Sequence, residues 1–323
     1  MLSFGLKLLA EINKWRLGEY PLAILYFHRV LEHTDPFLPD DPTIEEFENL
    51  IAAISKHFST FTIAKALELQ AIGQLPKLSV CISFDDGYAD NYTNALPILN
   101  KYQVPATFFI ATQGTKIGYL WNDVLLHKIR STQSSEITIT DKSWLLNSTE
   151  NKVSAYLNLV SLLKFMPNQE RDKNISIISQ KLEGESQQLG AINTPRCMMT
   201  ENQLRHFYEL GHEIGGHTTT HSILGVQDEQ VALTEIQNNK SDLEAILDSK
   251  IKTFAFPNGY FPRDFNQSHI DMIKASGFKF ACSTNDGGIT SKSNRYSISR
   301  FMPYRKERNQ FCLSIEKIAG ECE

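Results

Sequence analysis

The residues from 79 to 112, "SVCISFDDGYADNYTNALPILNKYQVPATFFIAT", spell out one complete unit of the fold. Its ends, "SVCISF" and "ATFFIAT", are short apolar runs rich in β-formers, and "ALPILNKY" between them carries helical apolar spacing. A strand, a helix and a strand in that order make a crossover with parallel strands. The alternation extends outward to "LAILYF" (22–27) and "TIEEFENLIAAISKHF" (43–58). It resumes later with "NQLRHFYEL", "HEIGGHT", the helix "DEQVALTEIQNNKSDLEAILD" (228–248), "KTFAFP", "SHIDMIKASG" and "FKFACST". In the 228–248 helix Val231, Ile236, Leu243 and Leu247 are expected to share one buried face. Such a series closes into a barrel or stays open, and in both cases function gathers at the carboxyl ends of the strands. Residues 113–200 interrupt the rhythm with polar sequence such as "STQSSEIT" and "LEGESQQLG". They are expected to form a largely helical insertion over one face.

With 41% hydrophobic residues among 323, the chain can bury a sizeable core. A formal charge of -5 and a pI near 6 give no basic field to gather phosphates, which argues against nucleic acid and for a neutral or small polar substrate. Five cysteines, odd in number and without a CxxC pair, read as reduced thiols. In "MLSFGLKLLAEINKWRLGEY", Lys7, Glu11 and Lys14 interrupt the apolar run, so residues 1–20 are expected to be a retained helix and not a signal peptide or membrane span. Leu2, Leu6 and Leu9, with Leu8, Ile12 and Trp15, recur at helical spacing, which allows packing on the domain or a peripheral membrane contact. A cytoplasmic location, or the cytoplasmic face of a membrane, follows as the expectation.

Asp85 and Asp86 end an apolar strand side by side, just before Gly87. Turn chemistry alone accounts for Asp-Asp-Gly, because Asp caps backbone amides and Gly adopts the left-handed conformation. A second site changes the balance. "HEIGGHTTTHSIL" follows another strand and sets His217 and His221 four apart, so that two imidazoles can converge on one cation from a helical turn or a tight loop. Two histidines and a carboxylate form the three-ligand set of a catalytic zinc-like site with positions left open. An adjacent carboxylate that is not a ligand suits a general base.

"SFDDGY", "HTTTH" and "FAFPNGY", in that order, together with "ILYFHRV" and "GHEIGGHTTTH", resemble the metal-dependent polysaccharide deacetylases. These carry the NodB-homology fold of carbohydrate esterase family 4, and the likeness is to the bacterial branch acting on surface or exported polysaccharides. It runs from about residue 22 to about 305. The resemblance implies a distorted (β/α) barrel of about seven parallel strands, over residues 21–323, with the insertion at about 113–200. It also implies removal of N-acetyl groups from the amino sugars of a glycan. On that pattern Asp85 is the base, and Asp86, His217 and His221 hold the metal, zinc first with cobalt or nickel as alternatives. The arginine expected in the third motif is replaced by Ala255. The late histidine that would serve as acid has no match, since His269 in "SHIDMIK" reads as part of a surface helix. Arg300 in "ISRFMPY" is the candidate to replace the guanidinium, and His28, ending "YFH", the acid. Trp121 and Tyr260, with Pro257 of the third motif, are the expected sugar contacts. His206 and His212 are expected to play no chemical part. Two other functions fit the same residues: hydrolysis of linear amides or cyclic imides on this fold, and a glycan-binding barrel without catalysis.

Overall fold

Alternate residues along the strands divide into two packed regions, and that division places everything else. The computed structural model describes residues 2–139, 142–183, 194–302 and 308–321. Its strands are β1 (Leu22–Phe27), β2 (Ser59–Phe61), β3 (Ser79–Phe84), β4 (Ala106–Ile110), β5 (Glu136–Ile139), β6 (Lys142–Leu145), β7 (Glu213–Gly216), β8 (Thr253–Ala255) and β9 (Phe280–Cys282). The helices are α1 (Leu2–Leu17), α2 (Ile44–His57), α3 (Ile63–Ala71), α4 (Leu96–Tyr102), α5 (Thr112–Ile117), α6 (Trp121–Ser131), α7 (Thr149–Leu163), α8 (Asn168–Glu183), α9 (Glu201–Glu209), α10 (Glu229–Leu247), α11 (Gln267–Ala275) and α12 (Arg308–Ala319).

The main sheet runs β1-β3-β4-β7-β8-β9, with every neighbouring pair parallel. Strand β1 lies along all six residues of β3, so β2 and β4 share the opposite edge. Strand β2 takes the amino half, Ser59 against Ser79, and β4 the carboxyl half, Ile82 against Ala106. Residues 298–301 then join the two ends of the sheet: Ile298 bridges to Cys282 of β9 and Phe301 to Leu25 of β1. The Ser283 amide donates to the Ile298 carbonyl and the Tyr26 amide to the Phe301 carbonyl, so the order closes on itself. The strand pattern left a barrel or an open sheet; the distorted barrel of about seven parallel strands is the architecture the family resemblance implies.

On the outer side, Ala23, Leu25 and Phe27, Val80, Ile82 and Phe84, and Ala106, Phe108 and Ile110 pack beneath the helices. On the inner side, Leu22 and Ile24, Cys81, Phe109, Ala255 and Cys282 fill the barrel. Gly215 of β7 faces this interior, where a Cβ would lie 2.6 Å from the Phe109 ring, so only glycine fits beside that phenylalanine. Helix α3 closes the amino end: Ile63, Ala64 and Leu67 join the inner cluster. The Ile63 amide donates to Thr107 Oγ1 and the Ala64 amide to the Glu213 carboxylate. Burial pushes the Glu213 carboxyl up, against the hydrogen bonds it receives from Ala64, Thr253 and Thr107. With that end plugged, polar chemistry is confined to the carboxyl end.

Helix α2 shows how local sequence sets an element. Thr43 and Glu46 form a capping box, in which the Glu46 amide donates to Thr43 Oγ1 and the Thr43 amide to Glu46 Oε2 at 2.8 Å. Phe47, Ile51 and Ile54 then face the core at helical spacing. Two expectations need correction, and the helical insertion gains a detail. Val231 is 39% exposed, because five residues separate it from Ile236 and turn it off the face that Ala232, Ile236, Leu243 and Leu247 share. The insertion contains a β5–β6 hairpin as well as helices α6, α7 and α8, packed around Leu125, Ile129, Tyr156 and Leu159. His269 is buried and not on the surface: its Nδ1 accepts the Asn266 amide at the start of α11, and burial lowers its pKa. Cys81, Cys197 and Cys282 are free thiols, and Cys322 lies outside the described residues. No helix among the described residues is long and apolar enough to cross a membrane.

Candidate metal centre and active site

The inner phase of the barrel delivers the site. Counting by twos along β3 leads from Cys81 through Ser83 to Asp85, along β7 from Gly215 to His217, and along β1 from Ile24 through Tyr26 to His28. By strict alternation Asp86 would face outward, but its φ of +73° and that of Gly87, +94°, break the period and turn both carboxylates to the same end. A Cβ on Gly87 would come within 3.0 Å of Ile110, so the turn is held tight against β4. Its carbonyls are occupied: the Ala111 amide donates to Asp86 and the Met199 amide to Gly87.

Asp86, His217 and His221 each offer one ligand atom, and these atoms lie within 4.8 Å of one another. Asp86 Oδ1 is 3.3 Å from His217 Nε2 and 3.0 Å from His221 Nε2. His217 Nδ1 is 2.7 Å from the Ala255 carbonyl oxygen, which can only accept, so Nδ1 carries the proton and a neutral His217 turns the Nε2 lone pair toward Asp86. Asp86 Oδ1 is buried without a hydrogen-bond partner. Lone pairs on a carboxylate and two imidazoles facing one point require a cation between them, and this N,N,O donor set fits a divalent metal of the zinc type. Burial acts to raise the Asp86 carboxyl. The imidazoles of His221 and His217 beside it outweigh that penalty and hold the group well below the usual carboxylate range.

The spacing of four between the histidines is met by a tight loop, with Thr218 at φ +61° and His221 at +54°. Helix α10 braces that loop. The Glu235 carboxylate accepts the Thr219 and Thr220 amides, both at 2.8 Å, and the Thr220 hydroxyl at 2.7 Å. One turn on, the Asn239 side chain accepts the His217 amide and donates to the Thr218 and Ile110 carbonyls. Asn168 of α8 reaches the same loop through Thr220, Ser222 and Glu235. The sequence reading missed Glu235 and Asn239. Their signal is two polar residues in phase with Ala232, Ile236 and Leu243 on a buried helix face. Glu235→Gln replaces one acceptor oxygen by a donor facing the loop amides, and metal affinity is expected to fall about 10–100-fold. Competition titration with a chromogenic chelator measures it, and unchanged affinity would remove Glu235 from the support of the site.

Arg300 is fully buried and forms a bidentate pair with Asp85, Nη1 to Oδ1 at 2.7 Å and Nη2 to Oδ2 at 2.9 Å. Its Nε donates to the Ser283 carbonyl, and its guanidinium lies 5.0 Å from the Tyr26 ring and 5.3 Å from Phe109. Burial acts to raise the Asp85 carboxyl, but the charge of Arg300 and the hydrogen bonds it donates leave it lowered. His28, half-buried just after β1, stands edge-on to Tyr26 at 5.9 Å and lies within electrostatic reach of both Asp85 and Asp86. It also faces Asp41, whose carboxyl burial pushes up to about 6 against the pull of His28 and Arg29. The structure thus brings Asp85, Asp86, His217, His221, His28 and Arg300 to one end of the barrel.

The expected sugar contacts sit on two elements. Pro257 is buried and Tyr260 is 49% exposed on the loop after β8. Trp121 opens α6 and packs on the insertion's core, with the Arg171 guanidinium 5.3 Å from its ring. His206 hydrogen-bonds the Tyr92 hydroxyl, and buried His212 accepts the Ala106 amide; neither joins the site.

A closed parallel barrel with an Asp-His-His cluster and a clamped second aspartate at its open end defines a metal-site barrel of the hydrolase type. The profile of the polysaccharide deacetylase family matches residues 73–281, well over half of the chain, and the protein belongs to that family. Among curated proteins it is similar to the poly-beta-1,6-N-acetyl-D-glucosamine N-deacetylase of Staphylococcus aureus, at 24% identity over 259 residues. That match takes in 80% of this chain and 66% of the relative, so the chain spans a little under two thirds of that protein's length. Among solved structures it resembles the deacetylase PplD of Streptococcus pyogenes (TM-score 0.62, 16% identity, 92% of this chain and 99% of that one). It also resembles IcaB of Ammonifex degensii (TM-score 0.58, 16% identity, 92% and 97%). At these identities the two likenesses concern the fold.

Proposed function

We propose that the protein is a metal-dependent hydrolase that removes N-acetyl groups from the amino sugars of a poly- or oligosaccharide. The observation that carries this is the convergence of Asp86, His217 and His221 beside an aspartate that Arg300 grips through both oxygens. Family membership and the substrate named for the staphylococcal relative support the glycan. We treat residues 21–323 as one catalytic unit, in which the 113–200 insertion is a cap tied to the histidine loop by Asn168.

Asp86, His217 and His221 would hold the metal, zinc by donor set with cobalt or nickel as alternatives. Bound there, it supplies Lewis acidity toward a water and the acetamide carbonyl. Asp85 takes the proton from the attacking water, its oxygens aimed by Arg300. The water oxygen bonds to the carbonyl carbon, and His28 gives a proton to the nitrogen as the C–N bond breaks, so acetate and a free amine leave. Pro257, Tyr260 and Trp121 are the sugar-contacting candidates. The test is acetate release from N-acetylated oligosaccharides by metal-stripped and metal-restored protein. Release that depends on metal is expected, and none from any glycan with full metal loading would overturn the reading.

The role of His28 has its own test. An amide expels a poor leaving group and needs an acid, whereas 4-nitrophenyl acetate expels a stable phenolate that does not. His28→Gln should therefore slow deacetylation of the sugar by about 100-fold or more while changing aryl ester hydrolysis by only a few-fold. Equal losses on both substrates would assign His28 to structure.

A further inference from the structure

Helix α1 has two apolar faces, and the barrel uses one. Leu6 and Ala10 are buried against the core. The Asn13 side-chain amide donates to Glu316 Oε1 at 2.9 Å, which pins this inner face to α12, and Arg16 at the helix edge donates to the Gly320 carbonyl while remaining exposed. On the opposite face stand Phe4 (75% exposed), Leu8 (53%), Ile12 (43%) and Trp15 (85%). Their spacing of four, four and three puts them within about 80° of one another around the helix axis. Leu313 of α12, itself partly exposed, comes within 3.9 Å of a Cβ placed on Gly5 and adds to the strip. Four large apolar side chains in one line, with none turned inward, are not the scattered exposure normal for a protein surface.

The borders of the strip are mainly basic. Lys7 and Lys14 flank it on one side and Arg16 on the other, all exposed. Lys14 leans over the Tyr20 ring at 4.6 Å. The acidic residue in the strip's border, Glu11, is engaged by Lys77 and by the Tyr20 hydroxyl. An apolar strip between basic margins is the pattern of a helix that lies in a lipid interface, its rings below the headgroups and its cations among anionic phosphates. A second copy fits worse. Facing strips would bring the lysines and arginines of both copies together, and a strip about 17 Å long and about 10 Å wide falls well short of the roughly 800 Å² per partner of a stable dimer. We infer that α1 is a docking surface for an anionic lipid bilayer, with Phe4, Leu8, Ile12 and Trp15 as the inserted side chains and Lys7, Lys14 and Arg16 as the headgroup contacts.

The surface is remote from the metal cluster. Lys77, which reaches Glu11, precedes the amino end of β3, while Asp86 follows its carboxyl end. Lipid contact along α1 therefore leaves the site open, and the inference holds whether or not the protein is a deacetylase. The test is flotation of the full chain with vesicles of phosphatidylcholine alone and of phosphatidylcholine with 30 mol% phosphatidylglycerol. Wild type is expected to float with the anionic vesicles, to be released by high salt, and to stay down with the neutral ones. Phe4→Ser/Trp15→Ser and Lys7→Glu/Lys14→Glu should each weaken the anionic binding at least tenfold. Both pairs are exposed, so the thermal melt and turnover of a soluble acetylated oligosaccharide should match wild type. Wild type remaining in the dense fraction with both vesicles would overturn the inference, as would a dimer in sedimentation equilibrium that Phe4→Ser/Trp15→Ser dissolves. Vesicle binding with no turnover by any form would instead overturn the deacetylase reading alone.

Discussion

Asp85→Asn is expected to lose activity by about two to four orders of magnitude and to keep its metal, the usual worth of a general base set beside a ligand set it does not join. The neighbouring change, Asp86→Asn, should lose the metal itself, because the buried oxygen that faces both imidazoles becomes part of a neutral amide. The contrast rests on what each side chain touches. Asp85 spends both oxygens on Arg300, which leaves its position fixed whatever occupies the metal site. Asp86 has no such partner and is aimed at the histidines by a left-handed backbone. Turnover of an acetylated oligosaccharide and elemental analysis of the purified variants measure the two effects. If both variants lose metal equally, the division of labour between the two carboxylates is wrong.

Much of this site was legible because strands project residues with a period of two and the family motifs sit at strand ends. The crossover written in residues 79–112 is present as β3, α4 and β4. The four residues of the Asp-Asp and His-His motifs lie together where the strand pattern put them. What the pattern could not reach is what closes the barrel. Residues 298–301 make single bridges to β9 and β1 and no ladder, so they carry no strand signal, yet they set Arg300 in the inner phase. That answers the departure at position 255. Ala255 also faces the interior, so a guanidinium could approach Asp85 from either place, and in this chain it comes from the closing segment while the short Ala255 side chain packs in the inner cluster. Glu235 and Asn239 were invisible for a related reason. A helix that hides polar side chains in its buried stripe looks like an ordinary amphipathic helix until the loop that needs them is seen.

Arg300→Met should be the most damaging single change to the fold, and its cost should nearly vanish when Asp85 is changed as well. Removing the guanidinium leaves the buried Asp85 carboxylate without its partner, and breaking one side of a buried pair costs about 3–5 kcal/mol. For a chain of this length that corresponds to a melting temperature lower by roughly 5–8 °C. A methionine of similar reach still packs against Tyr26 and Phe109 though it loses the cation–π attraction, so lost packing contributes little. Activity should fall by at least about a hundredfold, since the base loses both the charge and the fork that aimed it. Adding Asp85→Asn removes the stranded charge. The double variant should then be more stable than Arg300→Met alone, a coupling of several kcal/mol where independent residues would show additive losses. Thermal melts of the wild type, the two single variants and the double variant complete the cycle. Additive losses would show that Arg300 serves packing in the barrel interior and does not stabilise the Asp85 carboxylate.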